Sequence, residues 1–372
     1  MKSTAAGFSL FLFLLLGAGS AGAGIEVKGT GTAAAAELFA AWIKAYGPPA
    51  SGIQFKYEPH PGRGGIQQWL TRGADFALSE MPLSVGEEKQ SGGNLLYLPV
   101  GLTAAVVVYN LPAVPGGLQL TPRVLSSIFS WRITRWNDPA LRELNPDISL
   151  PALPILVLHR EDEGSLYDLF PSFLKNTDNA WATEDGPDRR LKWPVGTNVR
   201  GNAELYRKLR EAAGSIGIVD LFFANQNHLP AARLGNAAGR FTGPTLDAVA
   251  ASVADLTDLP EDLKVFISRP RDPAAYPLCS FLWVLVRPQA KKGDHDFRKP
   301  KALADFLGWL AADGQRVETE AGGIALPDRL RDKVLDKIKT IQTEDLPGVN
   351  PALPAAPTMG TPKGPTPPAS SR

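Results

Sequence analysis

Between Gly24 and Glu80 the chain alternates between two apolar periods. "GIEVKGTG" has the two-residue period of a strand and "AAAAELFAAWIKAY" the helical one. "IQFKYEP" returns to the strand period, "GIQQWLTRG" to the helical one, and "ADFALSE" closes the series as a strand. Strands alternating with helices build an open, parallel α/β sheet, in which ligands gather beyond the carboxyl ends of the strands. That geometry directs attention to the loops "KGTGTAAAAEL", "EPHPGRGGIQQ" and "LSEMPLS".

The second of these loops sets Gly62, Gly64, Gly65 and Arg63 just before a helix. A helix start carries unpaired N–H groups and partial positive charge, so such a loop suits an anion. The spacing matches neither a phosphate-cradling Gly-Lys-Ser/Thr loop nor a dinucleotide fingerprint, and an ordinary turn accounts for it equally well.

The rest of the chain narrows the classes. At 372 residues and 44% hydrophobic it has the substance for two or more compact domains. Its 39 Lys and Arg against 38 Asp and Glu leave a net charge of +1, which points to neither nucleic acid nor an anionic membrane as a partner. Lys2, the apolar "FSLFLFLLLGAG" and the small residues Ala21 and Ala23 have the form of a signal peptide over residues 1–23, cleaved after Ala23, and imply export. Cys279 is the single cysteine, so no intrachain disulfide forms, and its run "LCSFLWVLV" marks a buried, inert thiol. The histidines are scattered without a ligand spacing, so neither a metal nor a cofactor is expected. Residues 346–372 are proline-rich and lack apolar periodicity, the composition of a disordered or extended tail.

A second segment repeats the pattern. "LPILVLHR" is a strand that ends in Arg160, and "LYDLFPSFL" a helix with a buried face; Gly164 and Ser165 lie at its start. Two readings of Arg160 stand, a fork gripping an oxyanion and a surface arginine paired to Glu161, Asp162 or Glu163. "DRLRDKVLDKIKTI" is a terminal amphipathic helix, and "SWRITRWNDPALRELNP" uses its tryptophans and arginines in packing.

The order of motifs resembles the periplasmic phosphate-binding proteins that feed bacterial phosphate-specific ABC transporters, from about Val27 to about Ile341. "VKGTGTAAAAELFAAW" is similar to the family's opening and first helix, and "GRGGIQQWLTRGADFALSEMPLS" to its glycine loop and the acidic segment after it. "LTPRVLSSIFSWRITRWNDPALRELNPDISLP", "LVLHRED", "WPVGTNVRGN", "GSIGIVDLFFANQNHL" and "LADFLGWLAADGQRVETEAGGIALP" follow in the family's order. The resemblance implies an α/β fold of two lobes, the type II periplasmic binding protein fold, each lobe a mixed, mostly parallel sheet flanked by helices. Lobe I takes residues 24–100 and 277–345, and lobe II residues 101–276, with crossovers near "GLTAAVVVYN" and "AAYPLCSFLW".

Carried over position by position, the family's ligand residues fall on Ala33 and Ala34, on Gly62 with Arg63 beside it, on Glu80, and on Arg160 supported by Asp162. The last group falls on Gly164, Ser165 and Leu166, or one residue earlier on Glu163, Gly164 and Ser165. Hydroxyl donors are missing at the first two places, although Thr32 is adjacent to one of them and Arg63 brings a cation to the other. Glu80 retains the carboxylate that accepts a ligand proton, one methylene longer than the family's aspartate. The expectation is an exported, periplasmic or secreted monomer, not an enzyme, that binds phosphate or a related oxyanion and passes it to an ABC permease. A family member that has lost tight binding and serves as a scaffold or in signalling is the alternative, and an exported phosphatase-like relative a third.

Overall fold

The computed structural model describes residues 25–341 apart from 33–34, 48–51, 61–62, 94, 161–164, 179–180, 182–192, 255, 257–258, 266, 268–269, 289–297 and 321–322. The signal segment, the proline-rich tail and the expected site positions Ala33, Ala34, Gly62, Asp162 and Gly164 lie outside the described residues.

The alternation at the start of the chain folds as its periodicity demands. β1 (Ile25–Thr32), α1 (Ala36–Tyr46), β2 (Ile53–His60), α2 (Gly64–Leu70) and β3 (Phe76–Ser79) make a parallel set in the spatial order β2-β1-β3. α1 buries Phe39 and Trp42, three residues apart on one helical face, and Phe39 stacks on Tyr57 of β2 with ring centroids 4.9 Å apart. α2 approaches β1 so closely that a Cβ on Gly65 would lie 2.4 Å from the backbone nitrogen of Gly31. Close packing of a helix on a strand is thus one reason for glycine in this loop.

α3 (Val85–Ser91) starts with a capping box. The Ser84 hydroxyl accepts from the Glu87 N–H, and the Glu87 carboxylate accepts from the Ser84 N–H. The long strand β4 (Leu96–Tyr109) then joins two groups of strands. β5 (Gln119–Leu120), α4 (Pro122–Phe129), α5 (Pro139–Leu144), β6 (Leu156–Arg160), α6 (Ser165–Thr177), β7 (Thr197–Val199), α7 (Gly201–Glu211), β8 (Ser215–Asp220) and α8 (Leu221–Gln226) follow it. β9 (Arg233–Gly235), β10 (Phe241–Thr242), α9 (Leu246–Ala251) and β11 (Cys279–Val286) come next, before α10 (Arg298–Ala311), α11 (Gly314–Glu320) and α12 (Asp328–Ile338).

The main sheet runs β2-β1-β3-β11-β4-β8-β6-β7. Its two ends are parallel, β2-β1-β3 and β8-β6-β7, whereas β11 is antiparallel to both β3 and β4, and β4 is antiparallel to β8. β4 pairs with β11 through Leu96–Ala104 and with β8 through Ala105–Tyr109, so one strand belongs to both halves of the molecule. β9, β10 and β5 form a small separate sheet. The fold is α/β with a mixed sheet in two parts, as the resemblance implies.

Every residue of β3 and β11 is buried. Continuous burial suits central strands covered on both faces, and the run "LCSFLWVLV" is apolar throughout for that reason. Cys279 lies in it, and burial pushes its thiol up to about 12, well out of the reactive range. α12 buries Leu330, Val334 and Ile338 at a spacing of four, as expected of an amphipathic terminal helix. In the tryptophan-rich segment Trp136 is fully buried and donates from Nε1 to the Gly214 carbonyl at 2.9 Å, a packing role. Among the described residues no helix is long and apolar enough to cross a membrane.

Candidate functional site

A cavity of about 60 Å³ opens where the carboxyl ends of β3 and β8 face the start of α1 and the middle of β4. At 10–15 Å³ per water centre it has room for about four waters, the scale of a small guest. Ala35, Thr103, Phe222 and three carboxyl side chains, Glu80, Asp220 and Glu318, lie on its wall.

Glu80 directly follows β3 and is only 5% exposed. Its carbonyl accepts from the Ser280 hydroxyl at 2.6 Å, which ties this corner to β11. Burial first, then the neighbouring Glu80 charge, lifts the Tyr57 phenol well above its ordinary value. The Tyr57 hydroxyl donates to the Thr32 carbonyl at 2.7 Å. Thr32, at the end of β1, and Glu80 thus gather around one tyrosine.

Arg160 ends β6 as expected, and Ser165 opens α6. The arginine donates from Nη1 to Asn202 Oδ1 at 2.9 Å, and the Asn202 amide in turn donates to Asp220 Oδ2. Asp220 caps α8, accepting from the Phe223 N–H at 2.7 Å, and lies on the cavity wall. Arg160 itself borders a smaller apolar cavity of about 20 Å³ beside His159, Phe170 and Trp193. The structure therefore brings Arg160 to the cleft through one intervening amide rather than onto the same wall as Glu80. Asp220 is bound twice, to a helix end and to Asn202, so this chain of hydrogen bonds is rigidly anchored.

Arg63 occupies the N-cap position of α2 and faces Glu87. Nε donates to Oε1 at 2.7 Å and Nη2 to Oε2 at 2.5 Å, a fork-to-carboxylate pair with side chains 17% and 11% exposed. Burial pushes the Glu87 carboxyl up, but the Arg63 pair and the Ser84 cap together outweigh it and hold the group below its ordinary range. The cation expected at the guest's side is committed to bracing α2 on α3.

Asn202, Asp220 and Glu318 were not singled out in the sequence. Asp220 carried a signal, since an aspartate between an apolar strand and "LFFANQ" is a helix cap in waiting. Glu318 carried a fainter one: with Gly314 and Val317 it falls on the buried face of α11, where a charged residue is out of place. Asn202 had none.

A model of the PBP superfamily domain matches residues 17–313. A phosphate-binding protein PstS of Xylella fastidiosa is 32% identical over 296 residues, covering 79% of this chain and 79% of that protein. A high affinity periplasmic phosphate-binding protein solved with phosphate superposes with a TM-score of 0.65 at 18% identity, over 83% of this chain and 93% of its own. An ABC-type phosphate transport receptor from Vibrio cholerae gives 0.54 at 17% identity, over 81% of this chain and 100% of its own. At those identities the solved structures speak for the fold, which is the two-lobed one, and the curated relative speaks for the family. An α/β sheet split about β4, a cleft at its strand ends and a third of the residues shared along most of the chain make this protein a member of the PBP superfamily, in the family of the phosphate-binding protein PstS.

Proposed function

We propose that this chain captures phosphate, or a related oxyanion such as arsenate, between its two lobes in the periplasm and hands it to an ABC permease. Lobe I comprises residues 24–100 and 277–345 and lobe II residues 101–276, with β4 and the segment before β11 as the crossovers. The observation that carries the reading is the placement of Arg160 and Glu80. A guanidinium at the end of β6, held by Asn202, and a buried carboxylate at the end of β3 stand on opposite sides of the shared strand β4. Closing two lobes on a guest supplies donors from both sides at once, which offsets the cost of dehydrating an oxyanion. The contacts we assign are the Arg160 guanidinium, the Ser165 hydroxyl, the backbone N–H groups of Ala33, Ala34, Gly62 and Gly164, and Glu80 as acceptor of the ligand's proton. Arg63 joins them by giving up part of its grip on Glu87.

A second reading is supported by the cavity wall itself. Three carboxyl side chains on one small cavity, and Arg63 turned to Glu87, suit a member of the family that binds phosphate weakly and serves as a scaffold, with the proline-rich segment as its contact. Calorimetry separates the two. Phosphate-stripped mature protein titrated with phosphate, arsenate and sulfate releases heat with the first two and loses it in Arg160→Ala; absence of heat with all three at millimolar ligand leaves the scaffold reading.

A further inference from the structure

The cleft wall carries one carboxyl group that the family resemblance does not place there. Glu318, on α11, is 1% exposed, and its Oε1 occupies the space a side chain on Gly101 would need: a Cβ there would come within 1.9 Å. A Cβ on Gly323 would meet the Glu318 Cγ at 2.7 Å. Two glycines, one on the shared strand β4 and one just after α11, make room for this one carboxyl. Such an accommodation is specific to a side chain of this length and shape.

The second oxygen, Oε2, is buried without a hydrogen-bond partner, on a residue that lines the cavity. Buried polar atoms are satisfied as a rule, so a bare one at the wall of a guest-sized cavity asks for a partner from inside it. The groups that face it are acidic. Glu80 after β3 and Asp220 at the end of β8 share the wall, and no cation lines it among the described residues. On its own helix Arg316 is engaged with Glu320 at 2.5 Å, an exposed pair. Burial drives the Glu318 carboxyl well above its ordinary value of 4.5, and a backbone hydrogen bond from Ile324 opposes that only in part. A carboxyl kept neutral in this way is a hydrogen-bond donor.

We propose that Glu318 is a further ligand-contacting residue of the cleft, with Oε2–H donating to an oxygen of the bound oxyanion. The assignment rests on the phosphate reading above. It gives the two glutamates opposite duties: Glu80 accepts the proton that a guest carries, whereas Glu318 offers one of its own. A guest without a proton satisfies Glu318 but not Glu80, so Glu80 selects for the proton and Glu318 for an acceptor oxygen. Ionisation of Glu318 turns its contact from attraction into repulsion, so its contribution is present at low pH and fades as pH rises.

Inorganic phosphate titrated by calorimetry into the phosphate-stripped mature protein tests this, with thermal melting to confirm that each variant folds. Glu318→Met, close in volume and without a donor, weakens binding roughly ten- to a hundredfold, the worth of one hydrogen bond to a charged group. Glu318→Gln, which keeps an N–H donor, stays within about fivefold of wild type. Phosphate's own titration is common to both proteins, so the affinity of wild type relative to Glu318→Gln isolates Glu318; this ratio falls as pH rises toward the folded value of Glu318. A wild type that binds phosphate while Glu318→Met binds it equally well, or a ratio that rises with pH, overturns the assignment alone. A wild type with no phosphate affinity overturns the functional reading and this assignment together.

Discussion

Arg63 and Glu87, 24 residues apart in the chain, are joined at two points, with donor–acceptor distances of 2.7 and 2.5 Å. The same carboxylate caps α3 through Ser84, so one glutamate fastens the glycine loop to the next helix. Removing the arginine leaves a largely buried carboxylate unpaired, which costs about 3 kcal/mol. Arg63→Ala should therefore lower the urea midpoint clearly. The Glu87 carboxyl sits below its ordinary value of 4.5 in the folded protein, so its contribution is complete above that pH and is lost as pH falls through the folded value. The difference in stability between wild type and Arg63→Ala should shrink on acidification. A difference that is the same at pH 7 and pH 3 rejects this account.

Asn202 connects Arg160 to Asp220 and touches no guest in the proposed arrangement. Asn202→Ala deprives the guanidinium of one acceptor that fixes its direction. Phosphate affinity should fall about tenfold, in line with one hydrogen bond to a charged group, and the melting temperature should also fall, because the buried Asp220 loses a donor. Asn202→Ala binding phosphate as wild type does would show that Arg160 is oriented by other contacts.

The glycine loop offers a sharper contrast between neighbours. A methyl on Gly65 would meet the Gly31 nitrogen at 2.4 Å and its Cα at 2.5 Å, both backbone atoms that cannot turn aside. A methyl on Gly64 would meet only the His60 side chain, nearest at Cβ, 3.3 Å away. Gly65→Ala should destabilise by about 1–3 kcal/mol through overpacking, and Gly64→Ala by much less. Denaturant unfolding of the two variants decides it, and equal effects would mean that α2 slides on β1 without cost.

How much of this could be read from the residues alone follows the reach of each interaction. The alternation from β1 to β3, the burial of Cys279 and the face of α12 are local patterns, and periodicity reports them directly. The direction of β4 and β11 is not local. A run such as "AAVVVY" shows only that a strand is covered on both sides, not that it runs against its neighbours, so the antiparallel centre of the sheet was hidden. Gly65 was visible as a glycine, but its reason lies on Gly31, in another strand. Arg63 was visible as a cation, yet its partner Glu87 is in the next helix but one strand away, and pairing across such a distance is a property of the fold. Glu318 and Gly323 are near neighbours in the chain but Gly101 is more than two hundred residues away on β4, so the space they share exists only after folding.

That space has a consequence for stability that is independent of any guest. Glu318 holds its proton more tightly in the folded protein than in the unfolded chain, where its ordinary value is 4.5. Below that pH both states are protonated and the group is neutral to folding. Above it the unfolded chain releases the proton first, so folding stability falls with rising pH until the folded value is passed. Glu318→Gln removes the titration while keeping the shape. Its melting temperature should match wild type near pH 4 and exceed it by a widening margin toward pH 8. The slope is opposite in sign to that of Glu87, so the two glutamates are separable in one set of melting curves. A margin that is constant across this range would mean that Glu318 titrates alike in the folded and unfolded chain.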